Sequence, residues 1–157
     1  MFTSEPDLLI LPEPDYWAIR APLTWEAPDF NITIPAGFIT DLASIPRILR
    51  NVLDVDGRSR CPAILHDFLY SCQRTTRSFA DEQLRLALIA YGDTPAAARL
   101  YWLGVRIGGW VPWEKRLRRG GGLQPDDFMT AVAYRAASAG NNASIERRPA
   151  LQVGQRQ

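Results

Sequence analysis

The first forty residues carry short apolar runs separated by proline, aspartate and glutamate: LLIL at 8–11, YWAIRAPLTW at 16–25 and FNITIPAGFIT at 30–40. β-branched and aromatic residues in runs this short predict strands of a small antiparallel sheet. Pro35-Ala36-Gly37, between two β-branched runs, predicts a turn or bulge in which Gly37 takes a positive φ without steric cost. After Asp41 the pattern changes. LASIPRILRNVL, broken by Pro46, predicts one or two helical turns, and DVDG at 54–57 predicts a turn. Asp54 and Asp56 resemble the start of a calcium loop, but the other oxygen ligands and the closing glutamate are missing.

Three helices follow. The first covers about 61–73, with Pro62 in its first turn, where a missing N–H is tolerated. The second begins near Ser78, because Ser78 and Asp81 have capping-box spacing ahead of LRLALIAYG, and it stops at Gly92. The third runs from about Pro95 to Gly108-Gly109. A short helix is expected near DDFMTAVAYRAA, and residues 140–157 have the composition of a polar tail with little to bury. The fold class is α+β: one compact domain over 1–119 and a C-terminal extension over 120–157.

Composition narrows the functional classes. A chain of 157 residues that is 46% hydrophobic, with five tryptophans, suits one core. The formal net charge is +1, so no nucleic-acid partner is expected. The charge is nonetheless segregated: residues 1–57 carry nine acids and three bases, and 58–119 carry five acids and eleven bases. Cys61 and Cys72 form no CxxC pair and there is one histidine, which argues against a structural zinc site or a disulfide framework. The acidic N-terminus lacks the basic region of a signal peptide, so synthesis in a cytoplasm is expected. Leu100–Trp113, interrupted by Arg106, falls short of the ~20 residues that span a bilayer.

The single histidine, His66, lies in AILHDFLY. On a helix, His66 and Tyr70 share a side at i, i+4, whereas Asp67 is turned by about 100° and addresses another partner. A carboxylate that orients the imidazole must come from another element, and Asp41 and Asp81 are the candidates. Structural roles are equally open: Asp81 and Asp41 as caps, His66 and Tyr70 as hydrogen-bonded core rings, and Arg106 as a buried cation needing Asp67 or Asp81.

IPAGFITDLASIPR, AILHDFLY, RSFADEQLRLAL and LYWLGVRIGGW, in that order over about 32–113, resemble the phage and prophage domain-of-unknown-function 1353 family. That resemblance implies an accessory or virion-associated protein with other virion proteins as partners. The HD-x-x-Y segment also resembles the active-site helix of secreted calcium-dependent phospholipases, whose disulfides and glycine-rich calcium loop have no counterpart here. This second resemblance implies His66 as general base, Asp81 as the carboxylate that fixes its tautomer, Tyr70 as a support and Asp67 as a metal ligand. Asp41 is a second candidate ligand. Calcium is the first expectation for the cation and zinc the second, because zinc would take the same histidine that must act as base.

Trp110, Trp113 and the run Lys115, Arg116, Arg118, Arg119 combine amphipathic rings with positive charge. Such a block suits contact with nucleic acid, the anionic lipid of a membrane surface or an acidic protein surface, against the alternative of a solvated helix end, and the phage resemblance favours a protein contact inside a virion.

Overall fold

The computed structural model describes residues 1–11, 16–42, 60–124 and 127–129. The helical turns expected at LASIPRILRNVL lie outside these residues except for Leu42, as do the DVDG turn and the tail. Of the helix expected near DDFMTAVAYRAA, only Asp127–Met129 is described. The N-terminal part forms five short strands, β1 (Leu8–Ile10), β2 (Trp17–Ile19), β3 (Leu23–Ala27), β4 (Phe30–Ile34) and β5 (Ile39–Thr40). They make a three-stranded antiparallel sheet in the order β1-β2-β5 and a β3-β4 hairpin. The run YWAIRAPLTW is thus divided between two sheets, one strand on either side of Arg20–Pro22. Gly37, at φ 87°, carries the chain from the hairpin back to the sheet, its N–H donating to the Ile19 carbonyl at 2.7 Å.

Helix α1 (Arg60–Cys72) is buried on nearly every side, as expected of a helix apolar around most of its circumference. Ile64, Leu65, Phe68 and Leu69 pack with Ile19, Leu23, Trp25 and Phe38 of the β layer. Ala63 instead joins Leu84 and Leu88 of α2 (Arg77–Ala90) and Tyr101 and Val105 of α3 (Pro95–Gly108). The molecule is therefore an α+β fold in which α1 packs on the strands and on the other helices, while α2 also reaches the strands through Ala80, Gln83 and Ala87. Cys61 and Cys72 are buried free thiols.

Two helix boundaries differ from their expected positions. The N-cap of α2 is Thr76, whose Oγ1 accepts from the Phe79 N–H at 3.2 Å. This start, two residues before Ser78, leaves Ser78 Oγ 3.1 Å from Thr76 Oγ1 and releases Asp81 from capping to point inward, fully buried. Gly108-Gly109 does not end the helical region either. Gly109 keeps right-handed dihedrals (φ −75°, ψ −9°), and a fourth helix, α4 (Trp110–Arg118), follows directly. A Cβ at Gly109 would overlap the Tyr70 hydroxyl and the Val105 carbonyl, so this glycine serves a close approach and not a stop.

After α4 the chain returns to the β layer. Phe128 bridges to Phe38, Met129 N–H donates to the Gly37 carbonyl at 3.0 Å, and Asp127 is ion-paired with Arg116.

The strand and helix layers are also joined by a buried polar bond, from Trp25 Nε1–H to Gln83 Oε1 at 2.9 Å. Gln83→Leu strands the indole N–H and is expected to cost about 1–3 kcal/mol in urea denaturation. Combining it with Trp25→Phe, which removes the donor too, should cost less than the sum of the single changes.

Candidate functional site

Three helices converge on Asp81. From α1, His66 Nε2–H donates to Asp81 Oδ1 at 2.9 Å and the Tyr70 hydroxyl donates to the same oxygen at 2.7 Å. Asp81 Oδ2 accepts from Arg106 Nη1 of α3 at 2.9 Å and lies 3.5 Å from Arg77 Nη1, one turn earlier on α2. Arg77 also donates to the Arg106 carbonyl at 3.1 Å, tying α2 to α3. The i, i+4 spacing of His66 and Tyr70 places their rings 4.2 Å apart, and Trp113 of α4 meets Tyr70 edge-on at 5.1 Å. Gln73 Nε2–H, just past α1, donates to the Trp113 carbonyl at 3.0 Å and holds that helix in place.

The electrostatics follow from burial. His66 is 2% exposed. Burial lowers its pKa, and this outweighs the opposing pull of the Asp81 carboxylate, so the ring is neutral near pH 7. Burial works to raise the pKa of Asp81, but the hydrogen bonds from His66, Tyr70 and Arg106 prevail and its carboxyl is held below the ordinary range. Burial and the neighbouring carboxylate both push the Tyr70 phenol up, keeping it a donor. A neutral imidazole that gives its Nε2 proton to Asp81 carries a lone pair on Nδ1. That buried nitrogen has no hydrogen-bond partner among the described residues.

His66 lines a cleft of about 450 Å³ between β5, α1 and the α3–α4 corner. Its apolar walls include Tyr16, Phe38, Val105 and Pro112, and its polar lining includes Thr40, Asp41, Asp67 and Arg116. Asp67, turned away from His66 on the helix, accepts from the Thr40 hydroxyl, and Thr40 Oγ1 in turn accepts from the Leu42 N–H at 3.1 Å. Leu42 has φ 51°, a left-handed conformation that a non-glycine residue holds at some cost, next to Asp41 in the cleft wall.

The structure brings His66, Tyr70 and Asp81 into one hydrogen-bonded group and places Asp67 and Asp41 in the adjoining cleft. Among the described residues no three His, Cys, Asp or Glu side chains converge as a metal cluster. The basic block divides. Trp113 packs on Tyr70, and Arg116 pairs with Asp127 and donates to the Gly122 carbonyl at 3.2 Å. Trp110, Lys115, Arg118 and Arg119 are exposed. Neither cysteine is a ready nucleophile: Cys72 is buried, and burial pushes the Cys61 thiol up to about 11. Sequence reasoning passed over Thr40 and Arg77. A threonine in a strand carries no signal of its own, and only the packing of β5 against α1 gives it Asp67; Arg77 stands at i, i+4 from Asp81, a spacing legible in the sequence, while its bond to the Arg106 carbonyl depends on the packing of α3 on α2.

The pKa shifts set the pH response of the fold. His66 is depressed relative to the unfolded chain, whose histidine titrates near 6.5, so the unfolded state binds the additional proton first. Asp81 is depressed below an unfolded value near 3.9 and acts in the same direction at lower pH. Stability is therefore expected to be full above about pH 7, to fall as pH drops below about 6.5 and to fall again below about 4. Urea midpoints measured from pH 8 to pH 3 check this, and His66→Gln should abolish the first fall while leaving the second.

No curated protein and no solved structure matches the chain. A family model matches residues 17–105, which include β2 to β5, all of α1 and α2 and most of α3, and with them His66, Tyr70 and Asp81. The chain belongs to the family described as protein of unknown function (DUF1353).

Proposed function

We propose that this is a phage-encoded, virion-associated protein with a hydrolytic centre at His66. One observation carries the reading: a neutral, buried histidine lines a cleft with its Nε2 held by Asp81 and its Nδ1 lone pair without a described partner. Such a ring has one acceptor left to use: Nδ1, itself buried, would take its proton from a water that the cleft admits to it. As the proton arrives, the imidazolium is stabilised by the Asp81 carboxylate at 2.9 Å. Tyr70 and Arg106 keep that carboxylate charged and fixed, so it orients the ring and does not take the proton. The water oxygen then attacks an acyl or phosphoryl centre, and the proton on Nδ1 is available to the leaving group.

A divalent cation would supply the charge stabilisation that the apolar walls do not. Asp67 and Asp41 are the residues to hold it, and their oxygen donors suit calcium, though two carboxylates are a partial set for an ion that takes six to eight oxygens. Backbone carbonyls, water and substrate would complete it. Zinc fits less well, because its nitrogen ligand would be His66 Nδ1, the base itself.

The second reading is a structural virion protein in which the Asp81 group is a core knot. The observation that favours it is the near-complete burial of both His66 and Asp81. A hydrolase panel of phospholipid, peptidoglycan and phosphodiester substrates separates the two, run with calcium, zinc or chelator on the wild type and on His66→Gln, which keeps a donor towards Asp81. The hydrolytic reading expects calcium-supported turnover that the chelator abolishes and that His66→Gln lowers by about 10²–10⁴-fold without unfolding. Absence of turnover on every substrate, with failed particle assembly by the variant, would establish the structural reading instead.

A further inference from the structure

The outer edge of the α3–α4 corner is apolar and exposed. Leu100, Leu103 and Ile107 follow one another at i, i+3, i+7 along α3, and Trp110 and Val111 are exposed at the start of α4, which follows directly. Ile107 is 75% exposed and Trp110 57%, so these side chains project from the surface and do not line a groove. Beside them stand the exposed cations Arg99, Lys115, Arg118 and Arg119, and Glu114 is the one acid between residues 94 and 119. The other two cations of this stretch are engaged, Arg106 with Asp81 and Arg116 with Asp127.

We propose that this ridge docks on a bilayer surface carrying acidic headgroups. Projecting aliphatic and indole side chains with clustered cations match the boundary between acyl chains and anionic headgroups. The lipid layer closes around protruding groups, whereas a protein partner would have to offer a groove of matching shape. The excess of positive charge, with a single acid among it, complements an anionic surface. No described helix is long and apolar enough to cross a membrane, so the contact is peripheral.

The position of the ridge adds a consequence. Gly104 and Gly108, each one residue along α3 from Leu103 and Ile107 and so turned by about 100°, line the cleft, as does Pro112 after Val111. Docking therefore sets the mouth of the His66 cleft beside the membrane surface. The docking itself is independent of whether His66 turns over any substrate.

The test is co-sedimentation of the full chain with phosphatidylcholine vesicles, with and without phosphatidylglycerol. Binding is expected to the acidic vesicles, weakening as salt rises, and not to pure phosphatidylcholine. Lys115→Gln/Arg118→Gln/Arg119→Gln should lower the partition coefficient about a hundredfold, since each cation near an anionic surface is worth roughly fivefold. Ile107→Ser/Trp110→Ser should lower it at least tenfold. Both variants change exposed side chains, and unchanged circular dichroism and melting temperature verify their folding. Absence of binding to acidic vesicles, equal binding to both vesicle types, or full binding by both variants overturns the proposal. So does a concentration-dependent dimer, seen by light scattering, that the same substitutions abolish while vesicle binding is absent, since the ridge would then be an interface between copies of this chain.

Discussion

Asp81 is a fully buried carboxylate, and four side chains from three helices hold it ionised. Removing such a charge from water costs several kcal/mol, and only partners of good geometry offset that cost. The need to bring His66 and Tyr70, Arg77, and Arg106 to one point sets how α1, α2 and α3 stand against one another. The apolar contacts of Ala63 with Leu84, Leu88, Tyr101 and Val105 hold the helices together, but such contacts are non-directional. The carboxylate supplies the direction. It also makes the arrangement sensitive to the loss of any one partner, because a buried group left unpaired costs more than its bond contributed.

The cleft is a by-product of the same arrangement. With Nε2 turned to Asp81, the other nitrogen of His66 must face elsewhere. Tyr70, drawn to Asp81, fills the space that a side chain at position 109 would need, so α4 approaches through a glycine and Pro112 and Arg116 close the cleft wall. On the opposite side the Thr40–Asp67 bond ties β5 to α1, with strained Leu42 following Asp41. Strain kept beside a cleft is a common attribute of functional walls.

The family match and the molecule's working parts do not share the same limits. The match ends at residue 105, one residue before Arg106 and before all of α4. His66, Tyr70, Arg77 and Asp81 fall within it, whereas the Trp113 ring on Tyr70, the closing wall of the cleft and the basic end of the ridge lie beyond. Neither the histidine centre nor the ridge respects that limit: Arg106 of the Asp81 group lies beyond it, and Leu100 and Leu103 of the ridge lie within it.

Local pattern was enough to identify the α+β class, the strand runs, the glycine turn at 37, the burial-rich helix around His66 and the side shared by His66 and Tyr70, because each depends on periodicity or on one residue's backbone preference. The sequence also narrowed the orienting carboxylate to Asp41 or Asp81. Local pattern did not choose between them, although the phospholipase resemblance assigned that role to Asp81, and the capping reading of Ser78 and Asp81 pointed the wrong way, since Thr76 two residues earlier was an equally good cap and only packing selected it. Gly108-Gly109 was similarly legible as glycine but not as purpose: stop and close approach look alike until Tyr70 is placed beside position 109. Tertiary structure decided the meeting of Asp81 with His66, Tyr70 and Arg106, the Thr40–Asp67 bond and the cleft, because these partners stand 11–27 positions apart and nothing in the local chain specifies which of them meet.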